Sequence, residues 1–417
     1  MKSTPLVSSS FPFFKLPLLV QILIVKNLNL GELFNLSLVS RRSREVVAAL
    51  NLKVGRISWN LWSGNRNYYR IELKLSEPKF TLSIVVPLEM SSRSNDHLEQ
   101  LNVDGLVVPT AHSKTAGWSQ IAFGEEGRGS RSHLILVEKI AKRLLELFEC
   151  EEFEINLKGF YKIRECFLWK FISKQRIRTF SMSPCSYTQS PPPFTSGEMK
   201  FALSRRRIEH FTQYGQVQYP FKYSGPLKMS SFSTENGSWL TLDALLNMKC
   251  LSLSVLSDSL SDSTLNAFVS AWKTGEKLKK FNNLHMTVSP DQAPRGSRDR
   301  RIPVAIRKER LKKIVQGIET LPLDRSNWGQ YDRSTLEGFD ICRSDGLVAS
   351  ALFSTDCLTS FIFRVHRPDG WVDDVEEEED EEEDEEEDEE EDDNNQYYSD
   401  DDDSETSEGT SEESEDD

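Results

Sequence analysis

Metal-binding and disulfide patterns are missing from this chain. Its six cysteines include no CxxC pair, and its six histidines are scattered. Neither spacing suits a zinc site or a disulfide framework, so reduced thiols in a cytoplasmic or nuclear protein are expected. No GxSxG, HExxH or P-loop occurs, which argues against the chemistries those motifs carry. Long apolar runs are also missing. The densest run, LPLLVQILIV at 16–25, is broken by Gln21 and is shorter than the roughly 20 residues a membrane helix needs. No small-residue cleavage site follows it. The expectations are no cofactor, no metal, no membrane and no catalytic role.

Charge is unevenly placed. From Asp373 to the end there are 31 acidic residues and no Lys or Arg. The net charge of −15 therefore hides a basic body and a strongly acidic tail. The tail, 371–417, has almost no apolar residue and repels itself, so it is expected to be disordered. Its role would be to solubilise the body, to bind a basic partner, or to shield basic residues within the chain. Ser399, Thr410 and Ser414 each have an acidic residue three positions on, a spacing that suits acid-directed phosphorylation.

The most informative stretch is FPFFKLPLLVQILIVKNLNLGELFNLSLVSRRSREVVAAL at 11–50. It reads as three short helices. Pro17 suits a first turn, because its missing N–H would lack a helical partner anyway. A first helix is predicted from Pro17 to Asn27. Asn29 and Glu32 have capping-box spacing for a second, which carries Leu33, Phe34, Leu36 and Leu38. Ser40 can cap a third, with Arg41, Arg42 and Arg44 on one side and Val46, Val47 and Leu50 on the other. A unit this small cannot bury so much apolar surface alone. That surface meets either the rest of the chain, as an ordinary core segment would, or another protein.

Leu16-Pro17, Ile22, Ile24, Leu28, Leu33, Leu36 and the run LVSRRSR at 38–44 resemble an F-box, taken as 11–52. FPFFK and ELFNLSLVS resemble its nematode version. Leu19 stands where many F-boxes have an acidic residue, and Ser43 where many have Trp. The resemblance implies that Leu16, Pro17, Ile22, Ile24, Leu28, Leu33 and Leu36 dock on a Skp-type adaptor and through it a cullin.

The body reads as α/β, or α+β overall. RISWNLW, YYRIELKL and KFTLSIVVP alternate apolar and polar residues, so 53–132 should hold antiparallel strands. Within 88–131, SSRSNDH and GEEGRGSRS look like loops, with little periodicity between them. From 133 to 370, helical and strand patterns alternate. Helices are predicted at 134–148, 163–175, 243–248 and from Ser261 to Gly275; strands at 153–157, 178–182, 251–255 and 279–288. Strand-to-strand spacings of about 25 to 30 residues suggest a leucine-rich-repeat-like layer, although an ordinary α/β domain fits too. Residues 238–286, with WLTLDALLNM and a following LxxFxxxW helix, resemble the F-box-associated domain. GFDICRSDGLVASALF and FIFRVHR resemble its closing hairpin, with Asp345-Gly346 at the turn. Trp239 and Trp272 are expected in the core.

Nine basic residues lie between Arg295 and Lys313. Of these Arg300, Arg301, Arg307, Lys308, Arg310, Lys312 and Lys313 form a possible patch for an acidic partner. No nucleic-acid-binding fold accompanies them, so nucleic acid is not an expected partner. The resemblances imply a substrate-recognition subunit of an SCF-type ubiquitin ligase, with an unknown protein substrate. A scaffold outside ubiquitination, and a charge-driven binder of basic proteins or nucleic acid, remain the alternatives.

Overall fold

The computed structural model describes residues 12–62, 68–74, 81–88, 99–115, 118–124, 130–159, 162–172, 175–184, 192–205, 207–256, 259–287, 303–328, 336–354 and 360–367. The acidic tail, Arg300 and Arg301 lie outside them. One short 3-10 turn at Phe13–Lys15 precedes three helices, α1 (Leu18–Val25), α2 (Leu30–Val39) and α3 (Arg41–Ala48). The caps follow local chemistry. Asn29 accepts from the Glu32 N–H at 3.0 Å while the Glu32 carboxylate accepts from the Asn29 N–H at 2.9 Å. Ser40 accepts from the Ser43 N–H at 3.0 Å. Helix α1 stops at Val25, two residues short of expectation, and the Asn27 amide donates back to the Leu23 carbonyl at 2.9 Å.

Six strands follow: β1 (Leu52–Trp62), β2 (Tyr68–Lys74), β3 (Thr81–Leu88), β4 (Glu99–Val103), β5 (Leu106–Thr115) and β6 (Trp118–Gly124). The expected antiparallel pairing holds for β1–β2 and β2–β3. The loop-like runs SSRSNDH and GEEGRGSRS lie mostly outside the described residues, and the stretch between them, which showed little periodicity, forms strands. β4 and β5 form a hairpin whose turn, Asp104-Gly105, has positive φ at both residues (47° and 88°). That dipeptide is a strong short-range hairpin signal, because its backbone twist matches the twist of the flanking strands. β6 then pairs antiparallel with β5 and parallel with β3.

Helix α4 (Ser130–Leu147) leads to β7 (Phe148–Lys158), which lies parallel to β1. One sheet therefore runs through the boundary drawn at 132. The helix expected at 163–175 is reduced to a 3-10 turn at Ile163–Glu165 and one turn of α5 (Trp169–Ile172). Cys166 is extended between them, and the Trp169 indole N–H donates to the Ile163 carbonyl at 2.7 Å. Thereafter come β8 (Ile177–Ser183), α6 (Ser196–Ser204), β9 (Ile208–Gln213), β10 (Ser231–Thr234), α7 (Leu242–Leu246), β11 (Ser252–Val255), α8 (Asp262–Thr274) and β12 (Asn283–Thr287). Strands β7 to β12 are neighbours in sequence order and all parallel.

Their register aligns Ile155, Phe180, Phe211, Phe232, Leu253 and Leu284 in one buried row. Phe211 sits between Phe180 and Phe232, with ring centroids 5.6 and 5.4 Å away. Helix α8 closes this layer with Phe268 and Trp272 against Phe363, and Trp239 is buried nearby against Phe232. Alternate residues on the same strands face outward. Thr179, Ser181, His210, Thr212, Ser231, Ser233, Ser252, Ser254, Asn283 and His285 are all half-buried.

The remaining elements are α9 (Val304–Ile314), β13 (Leu321–Pro322), β14 (Glu337–Cys342), β15 (Val348–Ser354) and β16 (Ser360–His366). β16 pairs antiparallel with β12, and Gly346 (φ 89°) completes the expected hairpin turn between β14 and β15. Trp328, Leu336, Leu352 and Ile362 make a second, small core on the outward side of this end. Beside it the Ser350 hydroxyl donates to Asp340 at 2.5 Å and lies 2.7 Å from His366 Nε2. With its proton committed to Asp340, Ser350 is a fully buried bridge, unlike a nucleophile activated by a base.

His285 and His366 are both held below the ordinary histidine range, chiefly by burial; for His366, Asp340 opposes this shift and Arg364 adds to it. A folded value below the unfolded one near 6.5 means that the unfolded chain binds protons first as pH falls. This stabilisation is intact above about pH 6.5 and is lost as acidity passes through the folded-state values. Urea midpoints should therefore fall between about pH 7.5 and 5.5, and His285→Gln should flatten that slope. An unchanged midpoint would contradict the sign.

Candidate functional site

Helix α1 is apolar on nearly every side, yet only Gln21 and Val25 are buried. The buried Gln21 amide donates to the Leu16 carbonyl at 2.6 Å and so fixes the turn that presents Pro17. Pro17, Val20 and Ile24 are exposed and recur at helical spacing, with half-buried Leu16 and Leu28 continuing the stripe. Leu18, Leu19 and Leu23 widen it, and Val39 at the end of α2 is 72% exposed. An apolar helix normally buries its surface, and exposed patches of this kind mark interaction sites. Fully burying an exposed side chain of this size contributes about 1.5–3 kcal/mol, and covering these partly exposed ones contributes a share of that before the costs of association.

Of the sequence-derived docking residues, Pro17 and Ile24 are exposed, while Leu16, Ile22, Leu28 and Leu36 are half-buried. Leu33 is a correction. It is 3% exposed and belongs to the internal core, because the second helix turns this face onto the sheet. Leu18, Leu23 and Val39 were not singled out, although the all-apolar character of α1 already signalled an excess.

The opposite side of α2 packs on the β4–β6 end of the sheet. Leu30, Gly31, Leu33 and Phe34 are buried there. A Cβ on Gly31 would come within 2.6 Å of the Ser119 hydroxyl, so a larger residue would have to push that side chain aside. The Asp104 turn provides a polar clamp. Its carboxylate accepts from Arg44 of α3 at 3.1 Å and from Arg143 of α4, which is 1% exposed. Its carbonyl accepts from Lys139 at 2.5 Å. The exposed apolar face is thereby held in one orientation against the sheet.

The basic segment resolves differently from its linear appearance. Arg307 and Arg310 are buried and paired, with Glu337 at 3.5 Å and Asp262 at 2.8 Å. They tie α9 to β14 and α8, and are thus removed from the patch. Lys308, Lys312 and Lys313 remain exposed.

The outward sheet face is the other broad polar surface. Hydroxyl, amide and imidazole side chains floor it across β8 to β12. At one side Arg178 binds Glu152 at 2.7 and 2.8 Å, and Arg56 reaches Glu154 at 2.8 Å. The hydrogen bonds from Arg178 hold the Glu152 carboxyl below its usual range. At the other side Arg364 lies 5.5 Å over the Trp328 ring. Such a face can bind a polar partner through hydrogen bonds without burying an unpaired charge.

Residues 13–55 match the model of the F-box domain, which spans the three helices and the start of β1. Residues 223–286 match the family described as F-box associated, which spans β10 to β12 with α7 and α8. No curated protein and no solved structure matches the chain. The chain therefore carries an F-box domain at its N-terminus and an F-box-associated domain in its C-terminal half.

Proposed function

We propose that this chain is a substrate-recognition subunit of an SCF-type, cullin–RING ubiquitin ligase. The observation that carries this reading is the open apolar face of α1 on a domain that matches the F-box. Leu16, Pro17, Val20, Ile24 and Leu28 would dock on the Skp adaptor, which brings the cullin. The target protein would bind the outward face of β7 to β12, read here as a leucine-rich-repeat-like layer with one strand every 21 to 31 residues. No chemistry is required of the chain itself. It would supply proximity, which makes transfer to a target lysine effectively intramolecular. The fixed packing of α2 on β4–β6 sets the geometry of that encounter. No helix among the described residues is long and apolar enough to cross a membrane, and a cytoplasmic or nuclear site of action fits this role.

The full chain mixed with the Skp adaptor and a cullin should elute as one complex by size-exclusion chromatography. Separate elution at micromolar concentrations would overturn the reading.

A further inference from the structure

The rim at which β8 to β12 begin carries a regular series of cations. Register pairs Thr179, His210, Ser231, Ser252 and Asn283 across these five strands. Three positions before each stands a basic residue, in turn Arg176, Arg207, Lys228, Lys249 and Lys280. β16 runs the other way and places Arg364 opposite Asn283; three positions after Arg364 stands Arg367. The first five are exposed and Arg367 is half-buried. Backbone bonds keep these segments side by side. The Arg207 carbonyl accepts from the Ile177 N–H at 2.9 Å, and the Lys249 N–H donates to the Leu227 carbonyl at 2.8 Å. The Arg367 guanidinium donates to the Lys280 carbonyl at 3.0 Å.

Helix dipoles explain part of this pattern. Helices α6, α7 and α8 end toward this rim, where a nearby cation is favourable. Lys228 does not fit that explanation, since a loop, and no helix, leads into β10. Strands lie about 4.8 Å apart, so the backbones that carry neighbouring cations are within a screening length of about 8 Å of each other. Repulsion among the cations is a standing cost, and their potentials add along a line of about 24 Å. At the β8 end Glu209 pairs with Arg176 at 3.2 Å, and Glu151 and Glu152 line the same pocket.

We propose that this rim is a docking rail for an acidic polypeptide segment of a partner protein, extended over about seven residues. Charge complementarity selects an anionic partner. A polypeptide is favoured over nucleic acid because, among the described residues, the exposed aromatic side chains that would stack bases are elsewhere. Among the described residues, the exposed tyrosines Tyr214 and Tyr219 lie in the loop after β9, at the opposite rim. The rail is separate from the apolar α1 face, so it does not depend on the ligase reading.

The test uses a fluorescein-labelled deca-glutamate peptide and fluorescence anisotropy at low salt. The chain is used whole and also ended at Trp371, where its first compact unit ends. Lys228→Glu, Lys249→Glu and Lys280→Glu together should weaken binding at least tenfold, with adaptor co-elution unchanged and cooperative thermal unfolding retained. Lys312→Glu with Lys313→Glu should leave binding unchanged. If the triple glutamate variant folds poorly, the Gln triple should still weaken binding severalfold. Undiminished binding by a folded triple variant, or no binding by either wild-type form, overturns the rail. Tighter binding of a single-stranded oligonucleotide of equal charge overturns its assignment to a polypeptide.

Discussion

Val20→Asp combined with Ile24→Lys should weaken co-elution with the Skp adaptor by at least about 100-fold, because two charges would be desolvated in an apolar contact. The same substitutions should leave the fold intact. Val20 and Ile24 are 38% and 39% exposed and contribute little to the internal core. An acid in the first turn and a cation in the last both agree with the helix dipole, and the pair sits at i and i+4. Stability should therefore change by no more than about 0.5 kcal/mol, as for ordinary surface positions. Isothermal titration with purified adaptor, alongside urea denaturation, separates the two effects. Undiminished affinity would place the docking face elsewhere and remove the main support for the ligase reading. Leu19 is a poorer choice. An acidic residue is common at that place in F-boxes, so Leu19→Asp could leave docking intact.

The second large effect is expected inside the parallel layer. Phe211→Ala should cost about 3–5 kcal/mol, a large share of the stability of a typical domain. The ring is 1% exposed and stacks at 8° on Phe232. Removing it leaves a cavity that two flanking rings and a rigid strand register cannot close. Ser233→Ala, on the outward face of the adjacent strand, should be nearly neutral. Thermal and urea unfolding of the two variants compare the faces directly. Similar losses would mean that the outward face is covered in the folded chain and is not a free surface.

The helices of the F-box were readable because their signals are local. Asn29 with Glu32 and Ser40 before Ser43 each act within one turn, as do Ser261 and Gly275 at the two ends of α8. The strands β7, β8, β11 and β12 were readable from alternation, and the hairpin at Asp345-Gly346 from its turn residues. The β4–β5 hairpin was missed although Asp104-Gly105 was present, because the strands around it mix Thr, His, Lys and Ser with the apolar residues. Helix α5 was overread because an apolar run without β-strand alternation looks helical even when Cys166 breaks it.

Local spacing thus accounts for the capped helices, the alternating strands and the apolar excess of residues 16–39. It could not say which side of that excess stays open. Leu33 and Ile24 look alike in the chain, and only packing of α2 on β4–β6 buries one and leaves the other in solvent. The same holds for charge. Arg307 and Arg310 stand in a basic run but are neutralised by Glu337 and Asp262, acids distant in the chain. Arg207, Lys228, Lys249 and Lys280 stand far apart and line up through strand register. The longer connection before Lys280 breaks the 21-residue spacing of the first three, whereas backbone pairing keeps all four aligned.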